Sequence, residues 1–224
     1  MIHRFDRVDS TQRVARELAA AGARHGEAVI AGAQTAGRGR LGRVWASEPG
    51  ENLLMSVVLR PPGPLAEAPL LTLGAAAGLA VAFGLYVKWP NDLVTREGRK
   101  VGGILAELET KGEGIGVVIL GLGLNVNQVG FPDGIEGASL RTLGGGAPHD
   151  VAAVGDTALR AILAWSSHPQ RLDQWRSRSH TLGKRVRIAG REGMATALRD
   201  DGALLVDGAP ILSGDVEMVG NFEA

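Results

Sequence analysis

Two apolar runs joined by a tight turn constrain the fold more than anything else in this chain. Lys100–Glu109 reads KVGGILAELE, Ile115–Val126 reads IGVVILGLGLNV, and TKGEG lies between them. Strand-like segments separated by a short glycine-bearing turn pair antiparallel. The second run is the most apolar in the protein and is expected at the centre of a sheet. A further turn at Arg96–Gly98 sets another strand, carrying Leu93 and Val94, against the first. Parallel neighbours would need long crossovers instead, so a doubly wound parallel sheet is not expected. The expected class is α+β: a mixed, mainly antiparallel sheet with flanking helices.

The remaining segments fit that class. HRFDRV, Glu27–Gln34, Asn52–Arg60 and LYVKW read as strands. Ser10 is placed to cap a helix whose Val14 and Leu18 share one face, ending near Gly22. Asp150 is placed to cap a helix carrying Val151, Val154, Ala158, Leu159, Ile162 and Leu163, and a short helix is expected over 169–177. Asn127–His149 reads as loop. From Leu182 onward the texture changes to short strands with turns at AGREG, RDDG and VDGA, which predicts a small β-barrel of about five strands. The expected domains are 1–178 and 179–224.

Composition removes several function classes. Lysine plus arginine equals aspartate plus glutamate at 24 each, which lacks the basic excess of a protein that coats nucleic acid. There is no cysteine, so disulfide and thiolate chemistry are out. The five histidines are scattered without metal-ligand spacing, and no metal site is expected. Leu70–Val87 carries no charge over 18 residues, but alanine and glycine dominate it, and it reads as a buried helix and strand rather than a membrane span. The N-terminus lacks the apolar core of a signal peptide, and a cytoplasmic location is expected.

Four clusters carry the chemistry. Gln34–Trp45, QTAGRGRLGRVW, sets Arg38, Arg40 and Arg43 among Gly37, Gly39 and Gly42. Glycine loses much freedom on ordering, and guanidinium forks suit carboxylates and phosphates, so the stretch reads as a mobile cationic loop closing on an anion. Lys88–Asp92, KWPND, leaves a strand through a proline and presents Asn91 and Asp92, a pattern that also fits an ordinary turn. Lys100 precedes Gly102 and Gly103, which suits a cation placed on developing negative charge and equally a solvated turn lysine. Gly121-Leu-Gly-Leu-Asn125 puts glycines inside an apolar strand, a sign of close backbone approach.

Taken together, GRGRLGR with Trp45, KWPND, GRKVGGILAE and GLGLNVN, supported by Ser10-Thr11-Gln12 and a C-terminal SGDV, resemble the biotin protein ligases over nearly the whole chain. That resemblance implies a fold like the catalytic domain of class II aminoacyl-tRNA synthetases with an SH3-like C-terminal domain. It implies formation of biotinyl-5′-AMP from biotin and ATP with Mg2+, followed by transfer to a lysine of a biotin carboxyl carrier domain. On it, Arg40, Lys100 and Asp92 would be catalytic. Ser10, Thr11, Gln34, Gly37, Arg38, Gly39, Arg40, Lys100, Gly102, Gly103 and Gly121 would bind biotin. Arg38, Arg40, Arg43, Trp45, Asn91, Lys100 and Asn125 would bind ATP, with Trp45 covering the adenylate. Asp92 would orient the loop arginines or the attacking lysine. No DNA or membrane partner is expected, and the protein is expected to be a monomer or weak homodimer. A lipoate or octanoate protein ligase shares the fold and is the alternative.

Overall fold

The computed structural model describes residues 1–132 and 134–219. Its main sheet has seven strands: β1 (Ile2–Val8), β2 (Ala28–Gln34), β3 (Asn52–Leu59), β4 (Tyr86–Lys88), β5 (Asp92–Val94), β6 (Lys100–Lys111) and β7 (Gly114–Asn125). They lie in the order β1-β2-β3-β7-β6-β5-β4. The β6–β7 hairpin is the one expected, its register running from Gly102↔Leu124 to Lys111↔Gly114. Gly112 turns it at φ 61°, a conformation that glycine adopts without strain. β1 and β2 are parallel, with helix α1 (Thr11–Ala20) crossing between them. The other described neighbours in the sheet are antiparallel.

β3 is buried along its whole length, as its uninterrupted apolar sequence requires. The strand expected over LYVKW ends one residue early. KWPND is the tight turn between β4 and β5, and its Trp89–Pro90 peptide is cis. Trp89 is only 2% exposed. Its indole donates to the Gly202 carbonyl at 3.1 Å, so the side chain is anchored in the core.

Helix α2 (Ala68–Phe83) packs on the sheet and against α4 (Val151–Trp165) and α5 (Arg171–Ser177). By length and composition Leu65–Phe83 could cross a membrane, but over half of that span is buried inside the fold. Its small residues have a packing reason. A Cβ on Gly78 would come within 2.7 Å of the Trp165 Cβ, and one on Gly74 would strike the Trp165 carbonyl and lie 2.9 Å from that of Ser166. The stretch expected as loop contains a single helical turn, α3 (Leu140–Leu143), closed by reciprocal bonds between Ser139 and Thr142. Threonine in place of the usual acidic or amide partner of a capping box hides that turn from a sequence reading. Ser10 does sit at the N-cap of α1, but its side chain makes no capping bond.

A second sheet follows: β8 (Arg185–Ile188), β9 (Arg191–Leu198), β10 (Leu204–Val206), β11 (Ala209–Ile211) and β12 (Glu217–Met218), antiparallel, in the order β11-β10-β9-β8-β12. It is fastened to the β4 edge of the first. Val87 N–H donates to the Arg178 carbonyl at 2.9 Å, His180 N–H to the Val87 carbonyl at 2.8 Å, and Trp89 N–H to Thr181 Oγ1 at 2.9 Å. One continuous apolar core includes residues of both sheets, from Leu53 and Leu120 to Val186 and Leu204.

Two expectations test this packing. Gly74→Ala should cost about 1–3 kcal/mol despite alanine's better helix propensity, because overpacking against backbone cannot relax. The urea unfolding midpoint should drop with the slope unchanged. At the junction, His180 is 5% exposed. Burial, then the positive charges of Lys184 and Lys88, hold its pKa down to about 4 from 6.5. The unfolded chain therefore takes up this proton first, so stability is full above pH 6.5 and declines as pH falls toward 4. The loss should reach at most about 3 kcal/mol, and His180→Gln should remove that part of the pH slope in denaturation curves.

Candidate functional site

The floor of the site is built of glycine. Gly103 of β6 and Gly123 of β7 stand opposite each other in the hairpin register. Residues paired this way present the same sheet face. A side chain on Gly123 would collide with the Trp45 indole. One on Gly103 would touch Trp45 at 3.4 Å, the Asp92 carboxylate at 3.5 Å and Lys100 Cε at 3.6 Å. One on Gly121 would come within 2.9 Å of the Gln12 amide. The absent side chains leave a cavity of about 440 Å³, within the range that takes a small molecule, roughly 300–1,000 Å³.

One end of this cavity is neutral and polar. Gln34 Oε1 accepts from Thr11 N–H at 2.7 Å and Thr11 Oγ1 at 3.0 Å, and Ser56 Oγ donates to Thr11 Oγ1 at 2.8 Å. The Gln34 carbonyl is thereby occupied and its NH₂ retains donor capacity. Ser10 lines the same end. Behind it, the buried Gln12 donates to the Leu105 carbonyl at 3.0 Å and props the wall beneath Gly121.

The middle of the cavity is charged. Lys100 Nζ lies 2.7 Å from Asp92 Oδ1 and 5.7 Å from the centre of the Trp45 ring, so Lys100 faces inward and Asp92 orients it rather than a loop arginine. Arg40 Nη1 donates to Asn91 Oδ1 at 3.2 Å and the Gly214 carbonyl at 3.2 Å, and meets the Asp215 carboxylate at 3.4 Å. Arg43 pairs with the same carboxylate. Burial lowers the Arg40 pKa, with Asp92 opposing; the guanidinium stays charged at neutral pH but is poorly solvated.

The arginine loop is more organised than its glycines imply. Trp45 N–H donates to the Gly37 carbonyl at 3.0 Å and Gly39 N–H to the Arg43 carbonyl at 2.8 Å. Arg38 and Val44 bridge antiparallel, so the stretch is a small hairpin. Leu41, at φ 54°, and Gly42, at φ 74°, turn its tip.

Ser10, Thr11, Gln34, Arg38, Gly39, Arg40, Arg43, Trp45, Asn91, Asp92, Lys100, Gly103, Gly121 and Asn125 all line this one cavity. Gly37 and Gly102 do not. Gly37 is buried where a Cβ would lie 2.7 Å from the Trp45 carbonyl, so it closes the hairpin. The open side of Gly102 faces the Gly123 carbonyl, Leu124 and Leu93, because successive residues of a strand face opposite ways. Asn91 and Asn125, expected to bind ATP, also have partners within the protein. Asn91 holds Arg40 and donates to the Ile104 carbonyl at 2.7 Å. Asn125 Nδ2 donates to the Ala138 carbonyl at 3.1 Å.

Three contributors escaped the sequence reading of the site. Ser56 lies in an apolar strand with no motif around it. Asp215, in the SGDV turn, is distant in sequence from every residue it touches. Lys88 sits inside a quoted motif, but its register toward the cavity becomes visible only with β4 and β5 paired.

A neutral, amide-bearing end running into a lysine–arginine centre under an arginine hairpin defines a site suited to a small anionic ligand. The chain belongs to the biotin/lipoate A/B protein ligase family, whose model matches residues 4–125. It is 35% identical over 237 residues to the bifunctional ligase/repressor BirA of Bacillus subtilis, covering 95% of this chain and 72% of that protein. It is 36% identical over 206 residues to the biotin–[acetyl-CoA-carboxylase] ligase of Mycobacterium tuberculosis, covering 81% and 73%. A biotin protein ligase from Aquifex aeolicus in complex with biotin and ATP superimposes with a TM-score of 0.79 at 30% identity, covering 98% of this chain and 99% of that one.

Two of the three lid arginines, Arg40 and Arg43, share the Asp215 carboxylate. Asp215→Ala should therefore loosen the lid without unfolding the protein. Trypsin should cut after Arg40 and Arg43 faster than in the parent, with the thermal midpoint little changed; equal cleavage rates would show that the lid is held otherwise.

Proposed function

We propose that this protein joins biotin to ATP as biotinyl-5′-AMP, releases pyrophosphate, and passes biotin to a lysine of a biotin carboxyl carrier domain. The observation that carries this reading is the continuity of one cavity from the Gln34–Thr11 end to Lys100 and Arg40. A ureido ring needs donors and acceptors together, which suits Ser10, Thr11 and Gln34. A carboxylate extending from that ring would reach Lys100 and Arg40.

In the first step a carboxylate oxygen bonds to the α-phosphorus, the bond from that phosphorus to the bridging oxygen breaks, and pyrophosphate leaves with the electron pair. Both reactants are anions, so Lys100 and Arg40 lower their repulsion and stabilise the charge that builds on the phosphoryl oxygens. Trp45 and the hairpin lid keep water from the mixed anhydride. In the second step the neutral carrier amine attacks the acyl carbon, the acyl C–O bond breaks, AMP leaves with the electron pair, and the nitrogen gives its surplus proton to solvent. Asp92 holds Lys100 in both steps.

Among the described residues no cluster of three His, Asp or Glu could hold a metal ion. Asp92 and Asp215 are already paired with cations. Magnesium would accordingly arrive bound to the triphosphate, and no step here is assigned to it. The division into a catalytic unit, 1–178, and a C-terminal unit, 179–224, is part of this reading, with the second unit supplying Asp215 to the lid.

Lipoate or octanoate remains the competing acid. The Mycobacterium tuberculosis relative and the Aquifex aeolicus structure described above are named as biotin ligases, which favours biotin. Pyrophosphate exchange into ATP with each acid in turn decides the matter: exchange is expected with biotin, and exchange with lipoate or octanoate alone would sink the proposal. Lys100→Ala should lower biotin-dependent exchange about 10²–10³-fold with an unchanged circular dichroism spectrum and thermal midpoint. Near-normal exchange in that variant would remove Lys100 from the mechanism.

A further inference from the structure

Five cations line the cavity: Arg38, Arg40, Arg43, Lys88 and Lys100. Three already have anionic partners, Lys100 in Asp92 and Arg40 and Arg43 in Asp215. Arg38 is exposed, so water solvates it. Lys88 differs from all four. It is partly buried, and its side chain has neither a hydrogen bond nor an ion pair with any described residue. Burial lowers its pKa, with Asp92 and Glu217 opposing the effect and Lys100 and Arg43 adding to it. A cation removed from water without a partner is costly, and an anion entering the cavity would relieve that cost.

The sheet register says which anion. Lys88 pairs with Asp92, Asp92 with Gly103, and Gly103 with Gly123. This row crosses four strands on the cavity face, and directly opposed residues of antiparallel strands share a face. Gln34, at the neutral end, lies on β2, and five inter-strand steps separate β2 from β4. At 4.7–4.9 Å per step that is roughly 24 Å. Lys100 and Gly103 lie between, on β6, about 10 Å from the β4 end by the same spacing. An acid bound at Gln34 with its carboxylate at Lys100 therefore has Lys88 beyond it, on the far side of the reacting phosphorus. Asp92, Lys100, Glu217 and Arg43 all act on Lys88 electrostatically, so the β4 end sets three cations against two carboxylates, of which Asp92 is already paired with Lys100.

We propose that Lys88 receives the β- and γ-phosphates of ATP and stabilises pyrophosphate as it leaves, an assignment that rests on the adenylate-forming reading above. Lys88 keeps its proton throughout. The electron pair of the broken P–O bond goes to pyrophosphate, and the ammonium offsets the charge that arrives there. Lys88 is thus a substrate-binding cation for the leaving group, separate from Lys100, which serves the α-phosphate and the carboxylate.

The test uses the full chain with Lys88→Met, which keeps the length of the side chain without its charge, and Lys88→Arg, which restores the charge. Biotin affinity is measured by calorimetry, the ATP KM by biotin-dependent adenylate formation, and the pyrophosphate inhibition constant by product inhibition of that reaction. Lys88→Met should raise the ATP KM and the pyrophosphate constant by about tenfold or more, leave biotin affinity within about twofold, and recover most of the loss as Lys88→Arg. A pyrophosphate constant within about twofold of the parent overturns the assignment. A loss confined to biotin affinity also overturns it, because Lys88 would then serve the acid. If Lys88→Met has a lowered thermal midpoint, the Lys88→Arg constants decide: a pyrophosphate constant as weak as that of Met overturns the charge argument. Absence of biotin-dependent exchange in the parent would instead overturn the function proposed above, before Lys88 is considered.

Discussion

The cavity depends on one register. Because Gly103 faces Gly123 across the β6–β7 hairpin, the cavity face carries a bare strip of backbone on which Trp45, Asp92 and Lys100 converge. A slip of one residue would turn every side chain to the other face. Leu122 and Leu124 would then be driven into the site and the glycines into the core. The hairpin turn at Gly112 and the burial of Val118, Leu120, Leu122 and Leu124 against the helices hold this register from both ends.

The electrostatics share a second pattern. Of the cations that would meet an anion, Arg40, Arg43 and Lys100 are held by partners that can yield. Asp215 serves Arg40 and Arg43 at once from a partly exposed position, and ion pairs of that exposure contribute little. Lys100 is held more closely, by Asp92 at 2.7 Å. Such partners keep the positive groups arranged without making them costly to redirect, which is what a charge-stabilising site requires.

Much of this was legible in the sequence. The long hairpin, the five strands after residue 182 and the helices that begin after Ser10 and Asp150 follow from local pattern, because turn chemistry and apolar periodicity act over a few residues. The polar positions of the motifs were legible for the same reason, since lysines, arginines and glycines in an apolar frame are conspicuous. What stayed hidden is what pairing decides. Gly102 and Gly103 look equivalent in a string and face opposite sides of a strand. Asn91 is conspicuous in its motif, but its bonds to Arg40 and the Ile104 carbonyl are visible only in the fold. Asp215 lies 172 positions beyond Arg43 and can be linked to it only by tertiary structure.

The bonds from Trp89 to Thr181 and Gly202 bear on how this chain is made. The turn that carries Asn91 and Asp92 is anchored by residues about a hundred positions later. During synthesis the first sheet would emerge with the Trp89 amide and indole lacking those acceptors, next to an α2 surface not yet covered by Gly202. Until the C-terminal strands leave the ribosome, the nascent chain carries an apolar helix face and an unfinished turn. This later-made segment is then the one that both closes the core and delivers Asp215 to the lid.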